Sequence, residues 1–202
     1  MKKILLSLAT VVLSGFAMAQ NDIVISEIMY NGPEAGTDTL EFIELYNNGT
    51  TTIDLTGWSF SQGVTFTFPS VSLAAGEYMV TSYDSTKFHT AFGVASYEWT
   101  GGGLSNGGED IVLINATGTT IDSVDYDDNS SWPSTPDGGG SSLTLCDYNS
   151  DNNDPSNWFA GGVLTGVMVN GSEYKCSPGS HDGVVCSPQV SPLEAGITLS
   201  ED

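Results

Sequence analysis

The first candidate for catalysis in this chain is a serine motif. Gly103-Leu104-Ser105-Asn106-Gly107 matches the G-x-S-x-G pattern of a hydrolase nucleophile elbow. That elbow needs a strand leading into a helix, a histidine base and an acid that orients the histidine. Here the motif lies between two predicted strands, and the only histidines are His89 and His181. We therefore expect a turn at this position rather than a catalytic serine.

Three glutamates are the second candidate group. Glu27, Glu41 and Glu44 fall on neighbouring predicted strands, where two of them could act as the acid and base of a glycosidase. Such enzymes hold their carboxylates at a set separation inside a cleft. No predicted element supplies that cleft, and glutamates on a strand face are usually solvated. We expect these three side chains to be exposed and not catalytic.

A run of alternating oxygen-bearing side chains is the candidate metal site. Calcium loops begin with such a pattern. Two parts of a full loop are missing, because Asn152 replaces the required glycine and Trp158 replaces the closing glutamate. The alternative is a loop whose side chains cap their own backbone amides. Calcium is thus the one cofactor that the sequence suggests, and its candidate ligands are Asp147, Asn149, Asp151, Asn153 and Asp154.

Two tryptophans and three cysteines complete the candidates. Trp99 and Trp132 lie in glycine- or proline-rich loops, where an exposed ring would suit recognition of a sugar or a protein, and a buried ring would plug the core. Of the cysteines, Cys146 and Cys176 are the favoured disulfide, with Cys176–Cys186 as the competing pair. No C-x-x-C motif points to a metal instead.

Short strands are predicted to position these groups. Residues 41–46 alternate between the two faces of a half-buried strand, Asn48-Gly49 can form a tight turn, and Trp58 follows as an anchor on the core. Asp84 or Ser85 can cap a short helix through Phe88, His89 and Phe92. Seven or more strands with little helical periodicity predict an antiparallel β-sandwich. The further predicted strands are 22–30, 64–68, 77–82, 109–115, 119–126, 141–145 and 163–169.

Several of these segments, taken in order, resemble the lamin tail domain, an immunoglobulin-like β-sandwich. The resemblance covers about residues 22 to 160, and it implies this fold much more firmly than any activity. Secreted members of the family occur beside nucleases and other hydrolases, which implies accessory or targeting work. The blocks that carry the resemblance are 23–31, 41–60, 104–113, 121–133 and 153–158.

The beginning of the chain is typical of an exported protein. Lys2-Lys3, an apolar run to Met18 and Ala17-Met18-Ala19 form a secretory signal peptide, residues 1–19, cleaved before Gln20. We divide the remainder into a lamin-tail-like domain, residues 20–160, and a C-terminal extension and Gly/Ser/Pro-rich linker, residues 161–202. No further segment could insert into a membrane after cleavage.

The charge of the mature chain limits its partners. The formal net charge of −21 becomes −23 once Lys2 and Lys3 are removed, and only Lys87 and Lys175 remain as cations. Nucleic-acid binders need clusters of Lys and Arg, so nucleic acid is excluded as a partner. We expect a secreted, non-catalytic binding or adhesion module for an extracellular protein or glycan. The alternative is an accessory domain of a larger secreted enzyme, such as a nuclease or other hydrolase.

Overall fold

The structure, a computed structural model, describes residues 22–183, so the predicted signal peptide and Cys186 lie outside the described part. Within residues 22–183, no helix has the length and apolar character needed to cross a membrane. In this described part, one α-helix, α1 (Ser85–Phe92), and one 3₁₀ turn (Pro155–Asn157) accompany the strands. The strands are β1 (Ile23–Met29), β2 (Phe42–Asn47), β3 (Ile53–Asp54), β4 (Ser59–Gln62), β5 (Ser72–Leu73), β6 (Tyr78–Ser82), β7 (Ser96–Glu98), β8 (Glu109–Ile114), β9 (Thr120–Tyr126), β10 (Leu143–Leu145), β11 (Trp158–Ala160), β12 (Leu164–Val169) and β13 (Ser172–Lys175).

Two sheets enclose the main core. The larger has the order β11-β10-β1-β2-β6-β7, in which only β6 and β7 run parallel. A smaller sheet, β4-β8-β9, and the β3–β5 pair face it. Buried residues from both sheets form one continuous hydrophobic cluster. The predicted immunoglobulin-like antiparallel β-sandwich is confirmed.

The central strands β1 and β2 explain how the core is filled. Ile25 and Ile28 both face the core although they are three residues apart, because a β-bulge between Ile25 and Glu27 shifts the register by one residue. Ile43 and Leu45 reach the same core from β2. Phe42, on the opposite face of β2, is also fully buried. The expectation of a half-buried strand is therefore wrong, because the outer face of this sheet is covered as well.

A second hydrophobic cluster covers that outer face. The hairpin β12–β13 and helix α1 pack there, and their side chains meet those of the sheet. The predicted strand 163–169 is thus one half of a hairpin whose other half was missed. The cluster consists of Met29, Leu40, Phe42, Val80, Phe88, Tyr174 and Cys176.

The described part of the predicted linker also packs on the sheet. The Cys176 amide donates to the Val163 carbonyl at 3.0 Å, and the Gly162 amide donates to Asp182 Oδ2 at 2.8 Å. Residues 176–183 therefore do not behave as a linker. We call them the C-terminal loop.

Helix α1 begins and ends at the residues that favour its ends. Asp84 is the N-cap, and its Oδ1 accepts the Lys87 amide at 2.9 Å. Gly93 closes the helix with a φ of 73°, a left-handed conformation that glycine adopts without strain. Phe88 faces inward and is fully buried. The predicted capped helical segment is confirmed.

Residues 64–68 and Trp58 differ from the prediction. Residues 64–68 form isolated bridges, Ser59 with Thr67 and Thr65 with Gly101, instead of a regular strand. Phe66 and Phe68 are nonetheless buried in the core, as their alternation indicated. The Trp58 ring is half-buried at the edge of the cluster rather than at its centre.

Candidate functional site

The serine motif forms a turn held by neighbouring side chains. The Ser105 amide donates to Glu109 Oε1 at 2.6 Å, and Ser105 Oγ accepts the Gly107 amide at 3.3 Å. The Tyr126 hydroxyl donates to the Ser105 carbonyl at 2.7 Å. His89 and His181 contact other groups, the Val94 carbonyl and the Gly183 amide. In the described chain, therefore, no imidazole is hydrogen-bonded to Ser105.

Glu41 is hydrogen-bonded to this turn. Its side chain is buried, and its Oε2 accepts the Leu104 amide at 2.9 Å. Burial is the main cause that raises the pKa of Glu41 to about 8, and the charges of Asp38, Glu109 and Glu34 add to it. A carboxyl group held in this way stays protonated at neutral pH and positions the turn.

Glu27 and Glu44 form a buried acid pair. They face each other in the register of β1 and β2. Each side chain is only 1% exposed, although both were expected to be solvated. The expectation is wrong because the C-terminal loop covers the sheet face on which they lie.

Hydroxyl groups of the sheet hold the pair from one side. Ser26 Oγ donates to Glu44 Oε1 at 2.7 Å, and Ser142 Oγ donates to Glu27 Oε1. Thr144 Oγ1 lies 3.4 Å from the same Glu27 oxygen. These donors compensate part of the cost of burying two carboxyl groups.

The C-terminal loop holds the pair from the other side. The Ser177 amide donates to Glu27 Oε1 at 2.9 Å, and the Gly179 amide donates to Glu44 Oε2 at 2.6 Å. Each carboxyl group thus receives one backbone amide from a segment more than 130 positions away in the chain. Sequence reasoning named both glutamates but missed Ser177 and Gly179, since nothing local marks them as partners.

The protonation of the pair follows from its burial. Desolvation raises the pKa of Glu27 to about 7, whereas its hydrogen bonds to Ser142 and Ser177 oppose the rise. Desolvation and then the charge of Glu27 raise the pKa of Glu44 well above its usual value. The two groups therefore share at least one proton near neutral pH.

Side-chain oxygens of the predicted calcium ligands accept hydrogen bonds from nearby backbone amides. Asp147 Oδ1 accepts the Asn149 amide, Asp151 Oδ1 accepts the Asn153 amide, and Asp154 Oδ1 accepts the Ser156 amide, each within 3.0 Å. Asn153 Oδ1 accepts the amide of Asp125. Among residues 22–183, no group of three His, Cys, Asp or Glu side chains is arranged to hold a metal ion. The arrangement matches the Asx-turn alternative, and calcium binding stays a prediction.

Both candidate ligand-contact tryptophans are buried. Trp99 and Trp132 are each 6% exposed. Trp132 packs against Trp158, with ring centres 6.1 Å apart, and Trp99 meets Tyr83 edge to face at 6.3 Å. The expectation of an exposed ring is therefore wrong for both residues, and contact of either ring with a ligand stays a prediction. Both rings belong to the main hydrophobic cluster.

The cysteine prediction also needs correction. Cys176 is a free thiol, 1% exposed, in the second hydrophobic cluster. The Cys146–Cys176 disulfide is therefore absent. Burial and then the charges of Glu27 and Glu44 raise the pKa of the Cys176 thiol.

Comparison with protein families agrees with this architecture. The family model described as "Lamin Tail Domain" matches residues 17–128. A solved DUF4876 family protein from Bacteroides thetaiotaomicron VPI-5482 is similar at a TM-score of 0.44 and 13% identity, over 69% of this chain and 68% of that chain. No functionally curated protein matches the chain.

Proposed function

Because the chain belongs to the lamin tail domain family, we propose that it is a secreted, non-catalytic module that binds an extracellular protein or glycan. The observation that carries this proposal is a contrast between two sets of side chains. The groups with catalytic potential, Ser105 and the buried acid pair, are tied to neighbouring backbone and hydroxyl groups. Exposed loops are left as the part of the molecule that a partner can reach.

Among the exposed loops, we choose the Asp-rich loop that precedes β11 as the binding surface, because its conformation is already fixed by hydrogen bonds. Asp147, Asp151 and Asp154 are exposed, and each uses one carboxylate oxygen to cap a backbone amide. The Ser156 amide lowers the pKa of Asp154, so this carboxylate keeps its charge. A surface fixed before binding loses little conformational entropy when a partner docks. Of the two partner classes, the negative charge favours a protein with a basic face.

Binding arrays of extracellular proteins and glycans test this proposal with the mature chain. We expect protein partners whose binding weakens as salt rises, because exposed charges are screened. A double variant, Asp151→Asn with Asp154→Asn, keeps the capping oxygens and removes two charges, so it should bind more weakly without losing stability. Glu77→Gln removes one exposed charge elsewhere and should bind as the wild type does.

Two results would reject the proposal. A hydrolase activity that Ser105→Ala abolishes would make the module an enzyme. Binding unaffected by both the loop variant and salt would remove the Asp-rich loop as the contact surface. For secretion, the test is the N-terminal sequence of the protein recovered from the culture medium, and we expect it to begin at Gln20.

A further inference from the structure

We propose that the C-terminal loop, residues 176–183, is a proton-operated latch closed over the buried acid pair, and that it opens when both glutamates lose their protons. This goes beyond partner binding, because it concerns which surface the module exposes. The latch is built from segments far apart in the chain. One amide of the loop reaches each carboxyl group, Ser177 to Glu27 and Gly179 to Glu44.

The closed state is held by contacts that depend on this position of the loop. The Gly162 amide donates to Asp182 Oδ2, and the Cys176 amide donates to the Val163 carbonyl. The His181 ring packs edge to face on Tyr148 at 5.2 Å. These are single contacts rather than a sheet ladder, so the loop can lift while the sandwich stays folded.

The groups around the pair make its full ionisation costly. The titratable groups that come from the sheet and from the loop after β10 are phenols. They belong to Tyr46 on β2, Tyr78 on β6 and Tyr148 in that loop. From the C-terminal loop come the carboxylate of Asp182, whose charge raises the pKa of Glu27, and the thiol of Cys176, which stays neutral because burial raises its own pKa. His181 contacts Tyr148 and the Gly183 amide, and Lys175 joins the region through its backbone. In the described chain no cationic side chain is paired with either glutamate.

Loss of the last shared proton would place two negative charges side by side with 1% exposure each. Two such charges repel and need water, whereas two amide donors from the loop cannot replace a hydration shell. Lifting the loop admits that water. The latch is therefore closed in mildly acidic solution and opens as pH rises above neutrality.

Cys176 provides the readout, since its buried thiol is covered in the closed state. The rate of alkylation at Cys176, measured by peptide mass spectrometry on the mature chain, is divided at each pH by the rate in the urea-unfolded chain. The quotient cancels the ordinary effect of pH on thiol reactivity. We expect it to rise at least about tenfold between about pH 6 and about pH 8, because release of one proton changes an equilibrium by up to tenfold per pH unit.

Matched variants assign the effect to the pair. Glu27→Gln with Glu44→Gln keeps acceptor oxygens for the two loop amides and cannot ionise, so its quotient should change less than about twofold over the same range. Glu77→Gln removes an exposed carboxylate and should follow the wild type. If the double variant does not fold, Glu44→Gln alone replaces it, and its quotient should rise less with pH than that of the wild type.

Hydrogen exchange separates a local opening from global unfolding. We expect the amides of the C-terminal loop to lose protection at high pH, after correction for intrinsic exchange, while the hairpin β8–β9 keeps its protection. A wild-type quotient that does not change with pH would overturn the latch. So would equal pH dependence in the glutamine variant, or simultaneous loss of protection in β8–β9.

Discussion

Replacing Glu27 by glutamine should flatten the pH dependence of the free energy of unfolding. In the folded state the pKa of Glu27 rises from 4.5 to about 7. The folded protein therefore holds this proton more tightly than the unfolded chain does. The resulting stability is fully present below pH 4.5 and is lost as pH rises toward 7. A pKa change of this size corresponds to about 3 kcal/mol.

Urea unfolding from about pH 4.5 to about pH 8 measures this effect. The wild type should lose about 3 kcal/mol more over that range than Glu27→Gln, because only the wild type gives up this proton. Buried acids other than Glu44 titrate alike in both proteins and cancel in the difference. Glu44 does not cancel, because the charge of Glu27 helps to raise its pKa in the wild type only, and this enlarges the difference. Exposed Glu77→Gln is the control, and its pH profile should match the wild type. Equal losses in the wild type and Glu27→Gln would refute the reasoning that this carboxyl group is buried and protonated.

Further predictions concern the core, calcium and the cysteines. Trp132→Ala should lower the free energy of unfolding by about 3–5 kcal/mol, because it removes a ring packed on Trp158; half-buried Trp58→Ala should cost less, and the reverse order in urea titrations would be inconsistent with the packing. If the Asx-turn alternative is correct, addition of EGTA should leave the melting temperature unchanged, because the loop oxygens already serve backbone amides; a lower midpoint would instead support the predicted calcium site. Non-reducing peptide mapping should find Cys176 unpaired, which leaves Cys146 and Cys186 as the possible pair; a Cys176 disulfide would contradict the structure.

The elements predicted from local pattern agree best with the structure. The alternation of β2, the β8–β9 hairpin and the Asp84-capped helix are each specified by neighbouring residues, through side-chain periodicity, turn residues and capping. These features depend on residues a few positions apart, which a single sequence displays.

The features that the sequence did not reveal depend on distant segments. Alternation in β2 shows that its two faces differ in composition, but not that residues 164–183 cover the polar face. For that reason Glu27 and Glu44 were expected in solvent, and Gly179 looked like part of a linker. The sequence does contain one clue, because both glutamates lie within strands that consist mostly of apolar residues. The loops around Trp99 and Trp132 misled in the same way, since glycine and proline content does not report where a ring points.

The most direct test of this account is an NMR titration of the Glu27 and Glu44 side-chain carboxyl carbons in the mature protein. Burial of the pair beneath the C-terminal loop predicts that Glu27 titrates near 7, and that Glu44 also titrates well above its usual value of 4.5. Because the two groups are neighbours, each carbon should also sense the titration of the other. Two independent titrations near 4.5 would show that the pair is solvated, and would contradict the covered sheet face from which the latch and the pH dependence are derived.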